Sequence, residues 1–276
     1  MFDQFSVAVQ DGGDTTTDGA VTVTQGKLEG LALSSALFDG ADDKITTASF
    51  DFRTTAPSYS AAMWIRPDVI TGNRTLIKQH GKWKFQLSAQ KVEFFANNST
   101  NNATGNVITA ADKWWHVIAT FNASDNVVAL YVNGVSEFTG TDTDSETTGA
   151  FEIRMGLEND DSSDFDGDMR DVRLYDYALS ADQAASLYSG SYNVTPVHWW
   201  KLDEGTGTTT TASDIGTGTA RDGTLAGDTT MASSNGTLDL DSTLTIETTG
   251  QLSAPRGNLE LAGVYHNNGT TPAATP

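Results

Sequence analysis

The chain has 276 residues, no cysteine and a formal charge of −20. Disulfides and thiolate metal sites are excluded, and so much negative charge repels nucleic-acid phosphates and anionic membrane surfaces. Only 19% of residues are charged and 26 are glycine, which predicts many short strands joined by tight turns.

In chain order, "FSVAVQ" and "AVTVTQ" read as two short strands split by the turn-rich "DGGDTTTDG". The N-terminus has neither a basic start nor a long apolar run, so no signal peptide is expected. No stretch has the length of a membrane span. "ALFDGADDKITTASFDF" places strand residues on either side of Asp/Gly turns, and "YSAAMWIRPDV" is a strand closed by a proline. In "KWKFQLSAQKVEFFAN", Trp83, Phe85 and Leu87 share one face, while Lys82, Lys84 and Gln86 share the other. "WWHVIATFNASDNVVALYVNGV" is the clearest hairpin. Trp115, Val117, Ala119 and Phe121 alternate on the outward strand, and Val128, Leu130 and Val132 on the return. Trp64, Trp83 and Trp115 are expected in the core, and Trp114 and Trp199 nearer the surface. "FEIRMGL" and "MRDVRLYDYAL" are further strands. "SADQAASLYSG" carries the one helix signal, with Ser180 at the N-cap, Gln183 three residues on and Gly190 at the stop.

"HWWKLDEGTGTTTT", from His198, then reads like an opening strand placed after an ending. From Gly223 the texture changes again. Leu238, Leu240, Leu244, Ile246, Leu259 and Leu261 form one thin apolar stripe. That pattern suits a fibrous or solenoid arrangement, or strands shared with another subunit.

The four histidines have no serine or cysteine partner at a recognisable spacing. No strand shows the paired carboxylates of a glycoside hydrolase, and no phosphate loop or dinucleotide fingerprint is present. The chain is therefore expected to have no catalytic residues. The densest chemical cluster is "ENDDSSDFDGDMRD", Glu158 to Asp171. Crowded carboxylates attract a hard cation, but an EF-hand alignment puts Ser162 at the first ligand and Arg173 at the closing one. The alternatives for this run are a cation site and a solvated acidic loop.

Four segments, "ALFDGADDKIT", "AAMWIRPD", the "WWHVIATF" hairpin and "FDGDMRDVRLYDYALSADQAASLY", resemble the laminin G-like, concanavalin A-like β-sandwich domains of bacteria and phages. The resemblance implies an all-β, two-sheet antiparallel jelly-roll sandwich with a β-rich C-terminal extension. The expected domains are a β segment at 1–35 that joins the sandwich or an anchor, the sandwich at 36–190, a first-strand-like segment at 191–222, and an oligomerising or anchoring tail at 223–276. The segment at 191–222 either completes the sandwich in permuted order or begins a second module. The resemblance also implies a structural Ca2+, with Asp171 as the best ligand and Asp39 and Glu204 as weaker ones.

Members of the family bind glycans or proteins, or space other domains, so fold alone does not fix function. "GQLSAPRGNLELAGVYHNNGT" resembles structural proteins of marine phages. The expected protein is therefore non-enzymatic and virion-surface located, a fibre or capsid decoration that contacts other virion proteins, its own copies (as a trimer) and host glycans. It has no nucleic-acid partner and no membrane insertion. The alternative is a secreted or surface-attached bacterial carbohydrate-binding or adhesion domain.

Overall fold

Apolar alternation decides which face of each strand is buried. The computed structural model describes residues 15–17, 21–28, 33–55, 57–97, 103–108, 111, 114–143, 149–158, 163–189, 194–204, 210–234, 238–240, 244–252, 259–261 and 265–267. The chain divides into two compact units. One is Ser34–Ala232; the other combines Met1–Leu33 with Ser233–Pro276.

β1 (Thr15–Thr17) and β2 (Val21–Leu28) come first. The sandwich strands follow: β3 (Leu33–Asp39), β4 (Lys44–Thr47), β5 (Tyr59–Pro67), β6 (Asn73–Gln79), β7 (Trp83–Ser88), β8 (Lys91–Phe95), β9 (Ala103–Val107), β10 (Trp115–Asn122), β11 (Val127–Val132), β12 (Val135–Thr141), β13 (Ile153–Met155) and β14 (Asp166–Tyr175). After helix α1 (Phe52–Thr55) between β4 and β5, and helix α2 (Ala181–Tyr188) behind β14, come β15 (His198–Trp200), β16 (Thr211–Ala212), β17 (Gly223–Ala226) and β18 (Thr230–Ser234). One sheet has the order β12-β11-β10-β5-β14-β3-β18, with β15 also on β14; the other runs β16-β17-β4-β13-β6-β7-β8-β9. The fold is a two-sheet antiparallel sandwich. Met63, Ile65, Val117, Leu130 and Leu174 of the first sheet meet Ile77, Trp83, Phe85 and Phe94 of the second in one core.

Trp83 is core, but Trp64 is not. Met63 and Ile65 point inward, so Trp64 faces outward, 4.9 Å from the His116 ring and 5.8 Å from that of Tyr188. Two-residue periodicity did not reveal this because both faces of β5 are apolar. Ala62 belongs to a second cluster, with Ile118, Tyr131 and Tyr175, beneath Ala184 and Leu187 of α2. Trp115 is half-buried at the rim of the core. Helix α2 carries the expected capping box of Ser180 and Gln183.

The opening-like segment joins the same sandwich. Leu174, Arg173 and Val172 of β14 pair antiparallel with His198, Trp199 and Trp200. The neighbouring stretch Asp166–Met169 pairs with β3. Two strands thus share one edge of β14, and the change-over falls at Asp171, which has φ 56° and donates its N–H to the Lys201 carbonyl. β17 then pairs antiparallel with β4. This corrects the expected tail boundary at Gly223, because residues up to Ala232 belong to the sandwich unit. Gly223 permits the packing: a Cβ there would lie 2.4 Å from Ile45 Cγ2. At the other end β3 enters the sandwich sheet from Leu33, so the expected 1–35 segment is cut by that strand. "FSVAVQ" lies outside the described residues.

The second unit adds β19 (Leu238–Leu240), β20 (Leu244–Leu252), β21 (Leu259–Leu261) and β22 (Tyr265–Asn267). They form two parallel three-stranded sheets, β1-β19-β21 and β2-β20-β22. Leu238 pairs with Leu259 and Leu244 with Tyr265, each a step of 21 residues. Thr15 pairs with Leu238 and Val21 with Leu244, each a step of 223. The constant offsets describe three stacked rungs, with the whole sandwich unit inserted in the chain between the first and second. Among the described residues no helix is long and apolar enough to cross a membrane.

His116 offers a test of the outer face. It is 3% exposed, and its Nδ1 has no hydrogen-bond partner among the described residues. Burial, then the charges of Arg173 and Arg170, pushes its pKa down to about 3. The unfolded chain takes up a proton near pH 6.5 that the folded chain refuses, so stability is lost as pH falls from 6.5 toward 3. Urea unfolding between pH 6.5 and 4.5 is expected to show a slope in the wild type steeper than in His116→Phe, by up to about 1.4 kcal/mol per pH unit. Equal slopes would contradict the burial of an uncharged imidazole.

Candidate functional site

The turn after β3 carries Asp39, Asp42 and Asp43, and the turn between β17 and β18 carries Asp228. Ala226 pairs with Lys44, so the two turns lie side by side. One carboxylate oxygen from each of the four aspartates lies within 4.8 Å of the others. Asp39 Oδ1 accepts the Ala41 N–H at 2.9 Å, and Asp43 Oδ2 accepts the Asp39 N–H at 2.9 Å. Asp43 is 3% exposed, yet its Oδ1 has no hydrogen-bond partner among the described residues. Burial raises its pKa; hydrogen bonds from the Asp39 N–H and the Thr229 side chain oppose the rise, and the charges of Asp39 and Asp228 add to it. Gly227, at φ 73°, allows the approach, since a Cβ there would sit 2.6 Å from Asp43 Oδ1.

An orphaned buried carboxylate oxygen among three other carboxylates fits a hard cation. At Ca–O distances of about 2.3–2.6 Å, ligands on opposite sides of the ion stand about 4.6–5.2 Å apart. Asp39, Asp42, Asp43 and Asp228 would hold Ca2+, which would neutralise their mutual repulsion and pin the two turns together.

The three ligands expected from the sequence are not brought together. Asp39 belongs to this cluster. Asp171 is committed elsewhere: both its oxygens accept from Arg173 at 2.7 Å, and Oδ1 also accepts the Trp199 indole N–H at 2.6 Å. Arg173 in turn lies over the Trp199 ring. Glu204 Oε1 accepts the Ser213 N–H at 2.6 Å. The acidic run is likewise divided among separate partners. Glu158 is an ion partner of Lys78 and Lys84, and Asp168 pairs with Arg66 and accepts from Ser35. Asp166 pairs across the ladder with Asp39. Residues 159–162 lie outside the described residues.

A second feature was not predicted. Asp214 is buried, and its carboxylate accepts the backbone N–H groups of Trp199, Gly216 and Arg221 at 2.8–3.0 Å and lies 2.6 Å from His198 Nδ1. Burial alone would raise its pKa, but these hydrogen bonds hold it below the usual carboxylate value. Trp200 Nε1 donates to the Arg221 carbonyl at 2.8 Å. The His198 ring stacks on Trp200 and meets Phe50 edge-on at 5.2 Å. A cleft of about 440 Å³ opens beside Phe50 and His198, with Asp51, Asp176, Thr219 and Arg221 at its rim. Asp214 is unremarked in the sequence, because a lone aspartate in "TASDIGTG" carries no motif.

Residues 39–185 match the concanavalin A-like lectin/glucanases superfamily, and the chain belongs to that family. A candidate carbohydrate-binding protein from Bacteroides ovatus superposes with a TM-score of 0.58 at 18% identity, covering 73% of this chain and 60% of that one. The heptameric SAP-like pentraxin of Limulus polyphemus gives 0.50 at 14%, covering 57% and 82%. At these identities the likeness is one of fold. The chain therefore spans less than two thirds of the Bacteroides protein. A comparison with curated protein sequences gives no match.

The cation site makes two linked predictions. Calcium raises the wild-type melting temperature and chelator reverses it; saturation at 100 times Kd corresponds to about 2.7 kcal/mol. Asp43→Asn removes a raised-pKa carboxylate, so in chelator it melts above the wild type and no longer responds to calcium. A wild-type melting curve indifferent to calcium contradicts the site.

Proposed function

We propose that the chain is a non-enzymatic adhesive component of a phage virion, a fibre or capsid decoration whose sandwich contacts glycans on the host surface. The observation that carries this reading is that the residues of a lectin-family sandwich interrupt, along the chain, the residues of a parallel-stranded stack. Stacked rungs contact only their neighbours and extend along one axis, which suits a fibre component. The phage setting itself rests on the resemblance read in the sequence at "GQLSAPRGNLELAG". The charge of −20 suits a surface that meets neutral polymers and divalent cations. Its partners on this reading are other virion proteins, host glycans and two further copies of itself, with Ca2+ as a structural ion.

The second reading is a secreted or surface-attached bacterial carbohydrate-binding domain. It is favoured by the fold shared with the Bacteroides protein.

Light scattering on the full chain separates the two. The fibre reading expects three copies, about three times the 29.3 kDa of one chain. A monomer at all concentrations overturns it in favour of the second reading. Release of reducing sugar from a glycan would overturn the non-enzymatic part of both.

A further inference from the structure

We infer that the cleft beside Phe50 and His198 is where the sandwich holds a single neutral sugar unit. The inference rests on the glycan-binding reading above and gives it a place and a ligand class. The cleft's volume of about 440 Å³ falls within the range of about 300–1,000 Å³ typical of small-molecule sites.

Its chemistry is mixed in the way a sugar requires. A sugar ring offers apolar C–H faces and hydroxyls that both donate and accept. Phe50, Phe52 and Val197 supply the apolar part of the lining. Arg221 supplies donors only, while Asp51 and Asp176 supply acceptors and the Thr219 hydroxyl either.

Arg221 is the most informative of these. Its guanidinium lies 4.7 Å over the Phe50 ring, and its Nε is buried without a partner. Among the described residues no carboxylate pairs with it, although the chain has 36 acidic residues against 16 basic. A cation left unpaired in so acidic a chain, at the rim of a cleft, is available to a ligand.

The formal charges also select the ligand class. Asp51 is paired with Lys82 at 3.2 Å, and Lys82 is 1% exposed. Asp176, also in the lining, is exposed. Two carboxylates against one guanidinium and one ammonium cancel, so nothing in the cleft favours a uronic or sialic acid over a neutral ring.

The wall is also held in place before any ligand arrives. Asp214 binds the backbone of Gly216 and Arg221 on one side and that of Trp199 on the other. A wall fixed by buried hydrogen bonds loses little entropy on binding.

The test is calorimetric titration of the full chain with neutral oligosaccharides of glucose, galactose, mannose and arabinose, and with uronic-acid oligosaccharides in parallel. A neutral oligosaccharide is expected to bind the wild type. Arg221→Ala and Asp176→Asn should each weaken that binding about tenfold or more, the scale of losing a hydrogen bond to a charged group. Asp176 is exposed, so its variant is read even if Arg221→Ala disturbs the fold. Neutral binding that both variants leave unchanged overturns the cleft while the glycan reading stands. Preference for the uronic acids overturns the ligand class. Absence of binding to every oligosaccharide overturns both the cleft and the glycan reading.

Discussion

One buried carboxylate, that of Asp214, organises the functional end of the sandwich. It collects three backbone N–H groups and the His198 imidazole from two stretches of chain. A buried carboxylate is costly unless its oxygens are satisfied, and removing its partners leaves that cost exposed. The arrangement therefore holds as a unit. It ties β15 to the backbone of Gly216 and Arg221 and anchors the His198 ring that stacks on Trp200. From there the chain reaches β17, which lies on β4 and brings Asp228 to the Asp39–Asp43 turn. Both the cleft and the candidate cation site thus depend on one segment, residues 194–232, returning to the sandwich it follows in sequence.

Charge is managed locally in a chain that carries a large excess of it. The acidic run near Glu158 is broken up among Lys78, Lys84 and Arg66. Asp171 is held by Arg173 and Trp199. What distinguishes the Asp39–Asp42–Asp43–Asp228 group is that four carboxylates converge within 4.8 Å, with the buried Asp43 Oδ1 lacking a hydrogen-bond partner among the described residues. Arg221 stands out in the same way, through its buried Nε without a partner.

The sandwich was legible in the sequence because its strands alternate cleanly. The faces of β7 and β10 and the cap of α2 follow from spacing alone. Trp64 was misplaced because α2 makes the outer face of β5 apolar as well, and period-two alternation cannot say which apolar face meets the other sheet. The candidate cation ligands were only partly legible. Asp39 is a turn residue next to a recognisable Phe-Asp-Gly stretch, but Asp228 arrives by a pairing between residues more than 180 apart in sequence (Lys44 with Ala226). Asp171 and Glu204 looked like ligands by family position, but local hydrogen bonds claim both oxygens of Asp171 and one of Glu204. The stacked rungs were suggested by the thin leucine stripe, but the matching first rung lies on the far side of the inserted sandwich.

The central claim is that residues 194–232 are an integral part of one cooperative sandwich. Native-state hydrogen exchange of the full chain tests it most directly. The amides of Val197, Ile215 and Leu225 donate to Leu174, Trp199 and Thr210, and those of β5 and β10 pair at the centre of the first sheet. If the claim holds, both sets exchange through the same global opening, with equal free energies and equal denaturant dependence. If the 197–225 amides exchange through a smaller opening while β5 and β10 stay protected, the segment is an appendage and the account fails.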